Sequence, residues 1–150
     1  MDERIKPFAY RPAAVLKKDR WEGQVLGAEV GRARRVVEES RRREQEALDG
    51  VAQTEAELRE LCATDRAISL ERRHILDLFL RHQHAVAAVR QHDRASAEGV
   101  YAQVLQQLES KHRGIKAMEN HEQRKRHEHE GEQARVAFKA QDDAWLLRRR

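Results

Sequence analysis

Through the first half of the chain the apolar positions fall in one narrow stripe. Steps of four and three from Leu26 reach Val30, Ala33, Val37, Ser40, Glu44, Ala47, Val51, Thr54, Leu58, Leu61, Asp65 and Ile68. Most of these are apolar, and the residues between them are largely Arg, Glu, Gln and Ala, so a helix built from this run carries a seam rather than a broad core face. A 3.5-residue repeat flanked by charge predicts a coiled coil. A second stripe follows Leu70: Ile75, Phe79, His82, Val86, Val89 and Asp93, then Ala97, Tyr101, Val104, Leu108, Lys111, Ile115 and Met118. From Asp93 to Ala97 to Tyr101 the steps are four and four, which predicts a stutter that locally unwinds the supercoil. Beyond Met118 the stripe dissolves into Glu122, Lys125, His129 and Glu132. It returns only weakly in Val136, Phe138, Ala140, Trp145, Leu146 and Leu147, so the end of the chain is expected to be frayed or dependent on a partner.

Two stripes need something to bury them. One uninterrupted helix to Arg150 would be on the order of 200 Å long at 1.5 Å per residue, with nothing in its own chain to cover the seam. The expected fold is therefore all-α, a long two-helix antiparallel coiled-coil hairpin; a parallel dimer of straight helices is the structural alternative. The pattern loosens between Cys62 and Ser69, where Thr64, Asp65 and Ser69 are possible caps. These observations predict a single coiled-coil domain over 1–150, with an extended lead at 1–11, helix 1 at about 12–63, a turn at about 64–69 and helix 2 at about 70–147.

Pro7 and Pro12 argue for the extended lead, Pro12 being acceptable in a first helical turn. Phe8 and Tyr10 lie in it, either folding back on the helix end or docking on a partner. Gly23, Gly27 and Gly31 weaken the start of helix 1, each costing about 1 kcal/mol relative to Ala. At four-residue spacing they form a smooth strip, read first as a close helix–helix approach and second as a snug passage through a narrow opening.

Composition agrees with exposed helices: 37% of residues are charged, 5% aromatic and only two are proline. A paired seam hides about two positions in seven, which argues against an enzyme cleft. The net charge of +4 invites a nucleic-acid reading, yet 30 basic residues are interleaved with 26 acidic ones. Glu38 with Arg42, Glu39 with Arg43, Glu55 with Arg59, Glu109 with Arg113 and Glu122 with Arg126 stand at i, i+4, each pair contributing about 0.2–0.5 kcal/mol to a helix. A solvated, ion-paired face accounts for the charge better than a nucleic-acid partner. Only Arg41 to Arg43, Arg124 to Arg126 and Arg148 to Arg150 form compact basic patches.

No catalytic or cofactor chemistry is legible. The seven glycines are scattered and no G-x-x-x-x-G-K occurs. All eight histidines fall after residue 73, but His82 with His84, or His127 with His129, point about 200° apart on a helix and cannot share one metal ion. His127 with Glu130 could supply two ligands, with no evident third. Cys62 excludes an intramolecular disulfide, fits a reducing compartment, and is expected to be a small buried hydrophobe one seam step from Leu58. The acidic start and the absence of an 18-residue apolar run predict a soluble cytoplasmic protein that meets membranes only through partners.

Ile75, Leu76, Leu78, Phe79 and Leu80 are too many apolar residues for one seam. Some must face outward, as a binding surface or as a small local core closing the turn. Around them a family resemblance emerges. Pro12-Ala-Ala-Val-Leu-Lys-Lys-Asp-Arg, running into Ala28-Glu-Val-Gly-Arg-Ala-Arg-Arg-Val-Val-Glu-Glu, resembles the first helix of the FliJ/YscO family, coiled-coil stalk proteins of flagellar and virulence type III export. Ile75-Leu-Asp-Leu-Phe79-Leu-Arg-His resembles the start of that family's second helix. Leu108-Glu-Ser-Lys, followed by Glu122-Gln-Arg-Lys-Arg-His-Glu128, resembles its C-terminal pattern.

The resemblance implies a non-enzymatic, cofactor-free stalk. Family members insert into the central pore of the hexameric export ATPase, promote its assembly or activity and contact the cytoplasmic ring of the export gate; some also bind secretion chaperones. Phe79, with Leu80 and Gln83, corresponds to the gate-contacting patch, although Gln83 stands where the family can carry an apolar residue. Arg124 and Lys125 fall in the C-terminal pattern, Lys125 matching its lysine while His127 replaces its acidic residue. The alternative is a generic coiled-coil adaptor or secretion chaperone that binds partner helices.

Overall fold

The computed structural model describes residues 7–63 and 70–148. They form two helices and no strand, α1 at Ala13–Ala63 and α2 at Leu70–Arg148, in an all-α antiparallel hairpin. The expected turn at 64–69 lies outside the described residues. Pro12 opens α1 as its chemistry requires, since a residue without an N–H loses nothing in the first turn. Its carbonyl accepts from Leu16 N at 3.0 Å, and the Tyr10 carbonyl accepts from Ala13 N at 3.0 Å. Packing groups the chain into two units, one from Leu26–Leu108 and the other from the segments before and after it.

Within the Leu26–Leu108 unit the α1 stripe faces α2 as expected. Every stripe position from Leu26 to Leu61 is buried or half-buried, and Val37, Val51 and Thr54 are the deepest. The helices run antiparallel: Arg41 pairs with Glu98 at 2.7 Å, and fourteen residues further along α1, Glu55 meets His84 at 3.7 Å, fourteen residues back along α2.

The α2 stripe differs from expectation in its first half. The residues turned toward α1 are Leu76, Leu80, Gln83, Ala87, Arg90 and Arg94, joining Ala97, Tyr101, Val104 and Leu108 in unbroken steps of four and three. There is no stutter. The expected Ile75, Phe79 and Val89 lie one residue earlier, on the exposed flank of the helix. Hydrophobicity alone selected the wrong face because three of the true seam positions are polar. Their polar groups are matched across the seam: Arg94 Nε lies 2.6 Å from Glu44 Oε2, an ion pair without hydrogen-bond alignment, and Gln83 Oε1 lies 2.8 Å from Thr54 Oγ1.

The other unit pairs the start of α1 with the later part of α2. Leu16 is its one buried large apolar side chain among the described residues. Lys111 reaches across to Asp19 at 3.0 Å and Glu22 at 2.7 Å, and Arg20 reaches Glu119 at 2.6 Å. Gly23 is buried against Ile115, whose Cδ1 would stand 3.3 Å from an added Cβ, so this glycine serves a close helix approach. Gly27 and Gly31 face open space. Phe8 and Tyr10 fold back onto α2. The Tyr10 hydroxyl donates to the Met118 carbonyl at 3.3 Å, and Arg126 lies over the Phe8 ring at 5.7 Å with His129 beside it at 5.6 Å. Helix α2 continues to Arg148, although the side chains from 134 to 146 are all exposed.

Cys62 corrects a further expectation: it is exposed. The seam steps from Leu58 to Leu61, and one more residue turns the side chain about 100° away toward solvent.

Candidate partner-binding site

Buried apolar side chains among the described residues are few: Leu16, Val37, Val51 and Ala87. What remains on the surface is therefore extensive, and the question is which part of it is shaped for recognition. Much of it is charged, and the charges are tied locally. Arg43 with Glu39 at 2.9 Å, Arg59 with Glu55 at 3.4 Å and Arg126 with Glu122 at 3.5 Å are i, i+4 pairs. Arg42 turns to Glu39 and Glu46 and Glu38 to Arg34, and Arg113 donates to the Glu109 carbonyl rather than to its carboxylate.

Several carboxylates feel their partners. The Lys111 ammonium, through its hydrogen bond, holds Glu22 below the usual carboxylate range, and Glu22 in turn raises Lys111. Arg42 does the same for Glu39, Arg41 for Glu98 and Lys125 for Glu128. A charge already engaged this way offers a partner less than a free one does, so such a surface discriminates by pattern more than it binds tightly.

The residues implied by the resemblance occupy three different settings. Phe79 is half-exposed on the flank of α2, with Ile75 and Leu78 equally uncovered on the neighbouring turns. Leu80 and Gln83 face α1 and form part of the seam, Gln83 held by Thr54. Of the three, Phe79 alone presents itself outward. Arg124 and Lys125 lie exposed on α2 in the other unit, and Lys125 is paired with Glu128 at 2.7 Å.

The flank of α2 is longer than the sequence pattern revealed. Ile75, Phe79, His82, Val86, Val89, Asp93, Ser96 and Val100 follow one another in steps of four and three, and Ile75, Phe79, Val89 and Val100 are each at least half exposed. Its last turns form one wall of a shallow groove whose opposite wall is Val36, Ser40 and Arg43 of α1. The signal is present in the sequence, but from Ala97 onward the expected stripe follows the seam, which hides the continuation of the flank through Ser96 and Val100.

Comparison with family models, curated proteins and solved structures finds no match to this chain.

Proposed function

We propose that the chain is a non-enzymatic stalk of a type III protein export or secretion apparatus, acting in the cytoplasm at its inner face. In this reading the helix pair enters the pore of the hexameric export ATPase, promotes its activity, and links it to the cytoplasmic ring of the export gate. The observation that carries it is the antiparallel pairing of two helices with a thin seam and an ion-paired surface, on a chain whose motifs resemble the FliJ/YscO family along nearly its whole length. An α-helix is about 10–12 Å across with its side chains, so a pair of them suits a narrow opening. A part moving among equivalent sites of a ring is served by many modest polar contacts rather than one tight anchor.

ATPase turnover with and without the purified chain tests the proposal. Stimulation that saturates with added chain is expected; an unchanged rate through a saturating titration removes the coupling role. A pull-down with the hexamer should survive Phe79→Ala, because Phe79 is assigned to the gate end.

The adaptor reading draws on one observation, the uncovered Ile75, Leu78 and Phe79, which a partner helix could cover. It expects capture of a chaperone or substrate helix that Phe79→Ala abolishes, and no binding to the hexamer.

A further inference from the structure

The flank of α2 is a second coiled-coil seam that its own hairpin leaves uncovered. From Ile75 to Val100 it keeps a 3.5-residue repeat over roughly 38 Å of helix. Four of its eight positions are apolar side chains at least half exposed, and Val86 adds a fifth apolar position. The residues bordering the same side include Ala85 and Gly99, small enough to let another helix approach closely. Nothing lies within 4 Å of where a Cβ on Gly99 would stand.

We infer that this face binds the same face of a second copy of the chain, antiparallel, about a twofold axis passing between Ala87 and Ala88. The sequence of the stripe is complementary to its own reverse. In that alignment Val86 meets Val89 of the second copy, His82 meets Asp93, Phe79 meets Ser96 and Ile75 meets Val100, and each pairing occurs twice by symmetry. Apolar side chains meet apolar ones at the centre and at both ends. The largest ring is opposite the smallest side chain. The imidazole stands opposite the carboxylate and can donate an N–H to it in either charge state. A parallel, in-register pairing would place Asp93 against Asp93 and His82 against His82, with Phe79 against Phe79, so both charge and volume select the antiparallel arrangement. Arg90, 3.3 Å from Asp93 on the same helix, leaves the second carboxylate oxygen to the incoming histidine. The groove wall of Val36 adds apolar surface from α1 at each end of the interface.

Sedimentation equilibrium of the full chain over a range of concentrations is the test. A reversible dimer is expected. His82→Glu sets carboxylate against carboxylate in two layers and Asp93→Lys removes the acceptor from both, so each should weaken it roughly tenfold, and the double variant, with Glu opposite Lys, should recover the original affinity. Recovery cannot come from the Arg90 contact, which the double variant also lacks. Helicity by circular dichroism accompanies each variant. As an independent reading of register, Val86→Cys and Val89→Cys chains, each also carrying Cys62→Ser, should form a disulfide dimer efficiently when mixed and poorly alone. A chain that stays monomeric at high micromolar concentration overturns the inference and leaves the face to a helix of another protein. A trimer, a dimer indifferent to both charge changes, or a double variant as weak as the singles overturns it equally.

Discussion

Thr54 on α1 and Gln83 on α2 meet across the seam, hydroxyl oxygen to side-chain oxygen at 2.8 Å, at a point where Thr54 is only 4% exposed. Thr54 also lies 3.1 Å from the Gly50 carbonyl, and its single proton serves one of the two acceptors at a time. A polar layer in a thin seam is a device for register, since slipping the helices by one turn would bury both groups without partners. Thr54→Val should therefore lower unfolding stability by about 1 kcal/mol, and adding Gln83→Leu should recover most of that loss by removing the orphaned amide. Urea denaturation of the two single variants and the double variant measures it. Additive losses would show that the two groups act separately.

Lys111 has one ammonium serving two carboxylates, Asp19 and Glu22. The folded-state value of Glu22 is lowered, so its contribution to stability is complete above the ordinary glutamate range near about 4.3 and is lost as pH falls through and below it. The folded-state value of Lys111 is raised, so its contribution is complete below about 10.4 and is lost as pH rises beyond that. Melting temperature should accordingly be insensitive to this cluster between those limits and decline outside them. Lys111→Met should move the Glu22 titration upward toward its ordinary range, read by carboxyl-carbon NMR, and flatten the alkaline decline.

Gly27 and Gly31 stand in helix with open space around them, whereas Gly23 is pressed by Ile115. Gly27→Ala and Gly31→Ala should each raise stability by up to about 1 kcal/mol. Gly23→Ala should gain less, because Ile115 must give way. The same pair of substitutions separates packing from passage through a ring: if the smooth strip serves a pore, the stabilised variants should stimulate the ATPase less than the parent chain does. Equal stimulation assigns these two glycines no part in it.

Phe8 ties the lead to α2 through Arg126 and His129, and Tyr10 adds its bond to Met118. Phe8→Ala should loosen the lead and speed chymotryptic cleavage after Tyr10 by roughly tenfold, as cleavage follows the open population. An unchanged cleavage rate would mean that Tyr10 alone holds the segment.

What the sequence by itself determined was the α1 face, position by position from Leu26 to Leu61, and the need for a second helix to cover it. It did so because on α1 the seam is more apolar than either flank, even with Ser40, Glu44 and Thr54 included. On α2 the reverse holds between residues 75 and 94. Gln83, Arg90 and Arg94 sit in the seam while Ile75, Phe79 and Val89 sit beside it, so periodicity yields two candidate stripes one residue apart and apolarity favours the outer one. Only the tertiary structure could choose, because a polar residue is acceptable in a seam when its partner lies across it, as Glu44 does for Arg94 and Thr54 for Gln83. Those pairings join residues far apart in the chain and leave no trace in local pattern. The same reason separates Phe79 from Leu80 and Gln83: the three are close neighbours in sequence, but which of them a partner could touch was decided by where α1 lies.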